Sequence, residues 1–304
     1  MAPNDYSASL SNHNPSNYNK HADFVYAAKY TSAVLDLLSP QPGEAIADLG
    51  CGTGELTLKI KDAVGPQGAV WGIDSSQSML DKASVAGEKV GIQFRQADIQ
   101  DYTTLDPSLK GKFDAVFSSA TFHWCKGNPG GVVDTIKWLL KPGGRVAFEF
   151  GGFGNTSVHE FIIILRAGTN LIRVGIRAAL HEVLRRRGID PVTRDPWYFP
   201  TAQQYTSLLQ QHGLTPGNVA LYPRPTPLTT DLVGWLNTFA RNTFFTGIPS
   251  NEADALIQEV ADICRPDAYW NDASPGDAAK GTDAAAAKDG WEIMYVRLRG
   301  IATL

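Results

Sequence analysis

The chain has 304 residues, 43% of them hydrophobic and 19% charged, enough for one large core with appended helices or at most two domains. Its 27 Lys and Arg against 31 Asp and Glu leave a net charge of -4, so it lacks the broad positive field that phosphate backbones require, and no nucleic-acid partner is expected. Cys51, Cys125 and Cys264 have no paired spacing and the six histidines no ligand spacing, which excludes a disulfide framework and predicts no metal.

The first twenty residues are polar, with neither an apolar signal core nor an arginine-rich amphipathic pattern, and the apolar run Phe161 to Leu165 is too short to span a bilayer. A cytoplasmic protein without a membrane partner is expected, as a monomer or homodimer. Apolar residues recur at helical spacing from about Tyr26 to Leu38, and the Pro- and Gly-containing stretch Ser39 to Gly43 stops that helix. Ala45–Leu49 is a short apolar strand that runs into the glycine-rich GCGTG, after which Glu55 to Ile60 resumes helical periodicity up to Gly65.

The alternation then repeats. Strands are predicted at Ala69–Asp74, Gly91–Gln96, Phe113–Ser118 and Arg145–Phe150, with helices at Ser76–Gly87 and Gly130–Leu140 between them. Strands alternating with helices predict an open, doubly wound parallel sheet, with ligands bound outside the carboxyl ends of its strands. Beyond it, Val158 to Arg187 reads as one or two inserted helices, followed by a helix at Thr201–His212 and a strand near Asn218–Tyr222. Helices at about Thr229–Thr243 and Asn251–Ile263, a loop rich in Ala, Asp and Gly at Asn271–Lys288, and an alternating strand at Trp291–Ala302 complete the chain.

The chemistry is concentrated at the strand ends. In Asp48-Leu49-Gly50-Cys51-Gly52-Thr53-Gly54, three glycines lie where a strand feeds a helix, so a ligand can approach the backbone and the free N–H groups of the helix start. The spacing is G-x-G-x-G with a preceding carboxylate, not the dinucleotide G-x-G-x-x-G; Asp48 would repel a pyrophosphate and suit a cation. Asp74, twenty residues on, is placed to accept from two ribose hydroxyls. Asp98 could accept from an exocyclic adenine amine while Ile99 covers one ring face.

IADLGCGTGEL, VWGIDSSQSML, QADIQ, FDAVFSSATFHW and LLKPGGRVAFE resemble the successive motifs of class I S-adenosylmethionine-dependent methyltransferases, closest to the trans-aconitate methyltransferase-like group. The entry segment from Tyr18 to Val25, WYFPTAQQYTSLLQQHG and YVRLRGIA resemble that group too, so the likeness spans nearly the whole chain. It implies a Rossmann-like, doubly wound, mainly parallel seven-stranded sheet with an antiparallel last strand, plus helical insertions forming a cap. It also implies S-adenosylmethionine as cofactor, S-adenosylhomocysteine as product and a small-molecule acceptor. The expected division is an arm or lid over residues 1–25, a cofactor-binding core over 26–153, a helical cap insertion over 154–199, and a completion of the sheet over 200–304 with a second insertion at about 229–290.

Carried residue by residue, the resemblance implies that Asp48, Gly50 and Gly52, with Cys51, surround the methionine part of the cofactor. Asp74 and Met79, with Ser75, would hold the ribose and adenine, and Asp98 with Ile99 the adenine. Ser118 would meet the methionine amino group through its backbone, and Tyr18 and Phe24 would close over the cofactor. This chain reads Ser118-Ser119-Ala120-Thr121 where the family usually has Ser-Asn-Ala-Ala, which changes the side chain at position 119.

On the acceptor side, His123 either takes a proton from a hydroxyl or thiol or packs beside the cofactor. Trp124 is a wall of the acceptor pocket or is buried under the insertion, and Trp197-Tyr198-Phe199 lines the pocket or anchors the insertion. Arg166, Arg173 and Arg177 would share one face if the helix were continuous through Gly168 and Gly175, and either bind an acidic acceptor or form a solvated face. Transfer to a carboxylate or hydroxyl oxygen is favoured; an S-, N- or C-acceptor, or a cofactor-binding paralogue without catalysis, is the alternative.

Overall fold

The computed structural model describes residues 28–156, 175–271 and 289–304. Tyr18, Phe24, Arg166 and Arg173 lie outside them, as do the arm, the first part of the 158–187 insertion and most of the Asn271–Lys288 loop. The described chain forms two compact units.

The first unit takes the described residues up to Asn155 with Pro196–Pro223 and Val296–Leu304. Helix α1 (Ala28–Leu38) leads into strand β1 (Ala45–Leu49), α2 (Glu55–Val64), β2 (Ala69–Asp74), α3 (Gln77–Gly87) and β3 (Gln93–Gln96). Then follow β4 (Phe113–Ser119), α4 (Pro129–Leu139), β5 (Leu140–Gly151), α6 (Ala202–Gln211), β6 (Thr215–Pro227) and β8 (Asp289–Thr303), the last two elements continuing into the second unit. The order β3-β2-β1-β4-β5-β8-β6 gives seven neighbouring strands, parallel from β3 through β5, with β8 antiparallel to β5. This is the doubly wound, mainly parallel sheet with an antiparallel last strand that the motif order implies.

A strand buried on both faces carries apolar side chains alternately up and down, and these strands do so. Ile46, Val70, Ala115, Phe117 and Ala147 pack one way, against Val34 and Leu38 of α1 and Leu56, Ile60 and Val64 of α2. Ala47, Leu49, Ile73, Val116, Val146 and Phe148 pack the other way, against Val132, Val133, Ile136 and Leu139 of α4 and Tyr205 and Leu209 of α6. Arg145 ties the two ends of this arrangement together: its guanidinium meets Glu44 at 2.7 and 2.8 Å and its Nε donates to the Leu38 carbonyl at the end of α1.

Local chemistry sets the helix bounds. Asn128 caps α4 by accepting from Gly131 N, with Pro129 at the first helical position, and Thr201 with Gln204 forms a capping box on α6. The chain runs from β1 outward to β3, then returns to the other side of β1 for β4. The topological switch point therefore lies between β1 and β4, where the turn after Leu49 meets the loop after Ser119.

The second unit takes Thr156–Asp195 and Arg224–Tyr295. Helix α5 (Ile176–Arg185) and helix α7 (Leu232–Phe239) both pack on α8 (Ser250–Ala268). Helix α7 starts later than the periodicity predicts because Asp231 accepts from Gly234 N and caps it there. Helix α8 runs past the expected Ile263 with Pro266 in its last turn, and strand β7 (Tyr269–Asn271), absent from the sequence reading, pairs with the start of β8. Asp195 is buried and held by His181 at 3.0 Å and Arg177 at 2.5 Å. No helix among the described residues is long and apolar enough to cross a membrane.

Candidate functional site

The glycine turn is built at the end of β1. Gly50 N and Cys51 N both donate to the Ile73 carbonyl, at 2.7 and 3.1 Å, which folds the chain sharply back over β2. Gly50 has φ 73°, and a Cβ there would lie 2.1 Å from the Thr121 side chain, so only glycine lets the two loops meet. Thr121 Oγ1 donates to the Gly50 carbonyl at 3.1 Å and Ser118 Oγ to the Leu49 carbonyl at 2.7 Å, joining the end of β4 to the end of β1. Thr121 is a contact the sequence reading missed; its only signal was the departure from the family's alanine.

Three carboxylates line the strand ends. Asp48 is 2% exposed and accepts from Thr57 Oγ1 at 2.7 Å. Burial pushes its pKa up to about 7, the Thr57 hydrogen bond opposes this, and the charge of Asp74 adds to it. Asp74 accepts from Gly52 N and Ser76 N, both at 2.9 Å, yet its pKa is still raised, because burial outweighs these backbone hydrogen bonds. Asp98 accepts from Gln100 N at 2.9 Å at the start of the loop after β3.

Of the other described residues expected around the cofactor, Ser75 and Ile99 directly follow Asp74 and Asp98 in the chain. Met79 and Ile99 are each 6% exposed, and Ser75, next to Asp74, accepts from Gln96 Nε2 at 3.0 Å. Cys51 is buried, and burial, followed by the charges of Asp74 and Asp48, holds its thiol far above the ordinary range, so no thiolate forms there. Cys125 is raised in the same way, by burial first and then Asp98.

Beyond β4, His123 is buried at the foot of the loop. Its Nδ1 accepts the Gly151 N–H at 3.2 Å, and burial, then the charge of Arg297, lowers its pKa well below the usual imidazole value. The ring is thus neutral with its hydrogen on Nε2, which donates and cannot accept. The aromatic residues expected at the acceptor pocket do come together with it. His123 lies 5.2 Å from Trp124 and 6.0 Å from Phe199, Trp124 meets Trp197 edge-on at 6.3 Å, and Trp197 stacks on Phe199 at 5.5 Å. Trp197 is buried, whereas Trp124, Tyr198 and Phe199 keep some exposure. Tyr198 N donates to the His123 carbonyl at 2.8 Å, and burial raises its phenol pKa.

Arg177, the described member of the three-arginine face, is in the second unit and is engaged by Asp195. The sequence reading also missed the pairs Glu149–Arg299 and Gly151–Arg297 across β5 and β8. Two arginines spaced by two on an alternating strand read as a solvated face, yet Arg297 is 4% exposed. Among the described residues no group of three or more His, Cys, Asp or Glu is placed to hold a metal.

A family described as a methyltransferase domain matches residues 46–144, the stretch that carries the glycine turn, all three acids and His123. The chain is similar to an uncharacterized methyltransferase of Schizosaccharomyces pombe, 29% identical over 94% of this chain and 95% of that one. It is also 35% identical to a trans-aconitate 2-methyltransferase of Deinococcus radiodurans over 49% of this chain, spanning about half (53%) of that relative. Among solved structures, an S-adenosylmethionine-dependent methyltransferase from Mesorhizobium loti shares the fold, with a TM-score of 0.51 and 18% identity over 91% of this chain and 98% of that one.

Proposed function

We propose that this chain, which is a class I S-adenosylmethionine-dependent methyltransferase with a Rossmann-like core, transfers the methyl group to an oxygen of a small-molecule acceptor, a carboxylate before a hydroxyl. The observation that carries the choice of acceptor is the state of His123. An imidazole that stays neutral, with Nδ1 engaged by a backbone N–H, cannot deprotonate a hydroxyl. A carboxylate is already ionised at neutral pH and needs no base. The similarity to a trans-aconitate 2-methyltransferase supports the same class.

The chemistry of the donor set fits the cofactor. Asp48 and Asp74 form a pair of acids at the switch point, one raising the pKa of the other, and such a pair suits a ligand that brings positive charge and hydroxyl donors. In this reading Asp48, Gly50, Cys51, Gly52 and the Ser118 backbone hold the methionine part, and Asp74, Ser75 and Met79 the ribose and adenine. Asp98 and Ile99 hold the adenine. When bound, S-adenosylmethionine supplies a sulfonium-activated methyl group and leaves as S-adenosylhomocysteine. The protein's part is to position the acceptor oxygen in line and keep water out, for which Trp124, Trp197 and Tyr198 are the proposed walls. We carry the division into arm, core and helical insertions, a cytoplasmic location, a monomer or homodimer and the lack of a nucleic-acid or membrane partner as parts of the same proposal.

Calorimetric titration of S-adenosylmethionine, S-adenosylhomocysteine and NAD into the protein, beside Asp74→Ala, tests the cofactor site. Binding of both adenosyl compounds, none of NAD, and loss of binding in the variant are expected. Equal binding to the variant would remove Asp74 from the site. A screen of small carboxylic acids, phenols and thiols with labelled methyl donor then tests the acceptor, and turnover of phenols or thiols alone would overturn the carboxylate reading.

A further inference from the structure

We infer that Gln100, held by Asn128, is a positioning residue that fixes the direction of the Asp98 carboxylate and makes the cofactor site select a 6-amino purine over a 6-oxo one. This rests on the reading of Asp98 as the acceptor for the adenine amine. Asp98 stands at the start of the loop after β3, and two donors of Gln100 converge on its Oδ1, the backbone N–H at 2.9 Å and the side-chain Nε2 at 3.3 Å. Both contacts fall on one oxygen, so a ligand would be met by Oδ2. The backbone of Asp98 is anchored as well, its carbonyl accepting from Asp101 N and Thr104 Oγ1, both at 3.1 Å. What is left to the side chain is rotation about the bond that carries the carboxylate, a soft torsion that the Gln100 donors restrict.

Gln100 is held in turn from the loop that leads into α4. Its Oε1 accepts from Asn128 N at 2.9 Å and its carbonyl from Asn128 Nδ2 at 3.1 Å. Asn128 Oδ1 accepts from Gly131 N at 3.0 Å and so caps α4, whose Val132, Val133 and Ile136 lie in the core. The carboxylate is thereby linked through Gln100 and Asn128 to a helix seated in the core. With its oxygen turned to the Asn128 N–H, the Gln100 amide presents its NH2 to Asp98; the flipped amide would set donor against donor at one end and an oxygen against a carboxylate at the other. Glycines make the approach possible: a Cβ on Gly131 would lie 2.0 Å from the Gln100 carbonyl oxygen and 2.3 Å from Asn128 Nδ2, and one on Gly127 would lie 3.2 Å from Gln100 Oε1. The consequence is selectivity. A carboxylate free to turn can take the ring N1–H of a 6-oxo purine in place of the adenine amine, whereas one held in place is matched to one of the two donors.

The test is calorimetric titration of S-adenosylhomocysteine and S-inosylhomocysteine, in which a carbonyl replaces the adenine amine, into the full chain and into Gln100→Met, Gln100→Glu and Asp98→Ala. The quantity read is the ratio of the two Kd values, with thermal melting measured alongside. Gln100→Met keeps the reach of the side chain and loses both amide contacts; Gln100→Glu keeps an acceptor for Asn128 N and turns an oxygen on Asp98. The wild type is expected to prefer the adenine compound about tenfold or more, and each Gln100 variant to lower that preference about three- to tenfold. A merely structural role would raise both Kd values together and leave their ratio intact; that result, or no change at all, overturns the inference. If Asp98→Ala abolishes the preference while the Gln100 variants keep it, the inference fails and the reading of Asp98 stands. If the wild type shows no preference, or Asp98→Ala keeps it in full, both fall. Should Gln100→Met fail to fold, Gln100→Glu, the closer in shape, decides by the same ratio.

Discussion

The Thr121 side chain stands where a Cβ on Gly50 would have to go, 2.1 Å from that position, and its hydroxyl donates to the Gly50 carbonyl. The loops after β1 and β4 are thus fitted to each other, and Gly50→Ala meets both a collision and a left-handed φ of 73°. The variant is expected to lose on the order of 1–3 kcal/mol of stability, from overpacking and backbone strain, and to bind S-adenosylhomocysteine at least tenfold more weakly. Adding Thr121→Gly should restore part of the stability by removing the clash and leave the φ cost in place. Denaturant melts and calorimetry on the single and double variants check this, and full recovery in the double variant would remove strain from the account.

Asp48 makes stability depend on pH. Its pKa is raised from 3.8 to about 7 by burial, so between those values the folded state holds a proton that the unfolded chain has released. The contribution is fully present below about pH 4 and is lost as pH rises through about 7; the full span corresponds to about 4 kcal/mol. Without cofactor, urea unfolding should therefore show stability falling between about pH 4 and about pH 7, and Asp48→Asn should flatten that slope. Cofactor affinity is expected to move the opposite way, because the ionised carboxylate is the form that attracts a cation. A slope that persists in Asp48→Asn would assign it to another group.

With the imidazole of His123 held neutral, kcat at saturating cofactor should show no limb near pH 6 to 7 on a carboxylate acceptor. His123→Gln should lower kcat by less than about tenfold, against the factor of 100 to 10,000 typical of losing a general base. A pH profile of both proteins separates the cases: a limb in the wild type that vanishes in the variant would restore the base.

Phe117, fully buried on the α1–α2 side of the sheet, tests the core. Phe117→Ala should cost about 3–5 kcal/mol, from lost transfer free energy and the cavity left behind. Equilibrium denaturation measures it, and a cost below about 1 kcal/mol would mean that the surroundings collapse to fill the space.

Much of this was legible in the sequence because short-range rules govern it. Strands β1 and β2 begin and end at the residues that hydrophobicity and flanking glycines mark, and Asp48, Asp74 and Asp98 fall at strand ends as their spacing predicts. What could not be read depends on which face of an element is covered. Arg297 and Arg299 are two apart on a strand of alternating character, and only the sheet order, which puts β8 between β5 and β6, shows that one of them is buried beside His123. The hydrogen bond to the His123 ring could not be read either, because it comes from Gly151, twenty-eight residues away. Strand β7 is three residues long and follows a helix without a break, too little pattern to register.

The interior place of β8 has a bearing on how the polypeptide is made. Both its neighbours in the sheet precede it in the chain, β5 by well over a hundred residues, so as the protein emerges from the ribosome β5 keeps an open edge until residues 289–303 have been translated. An uncovered edge strand is a template for pairing with another chain, and long-range strand insertion is slow. Nascent chains arrested before Asp289 should accordingly be bound by holdase chaperones, while chains that have passed Thr303 should be released.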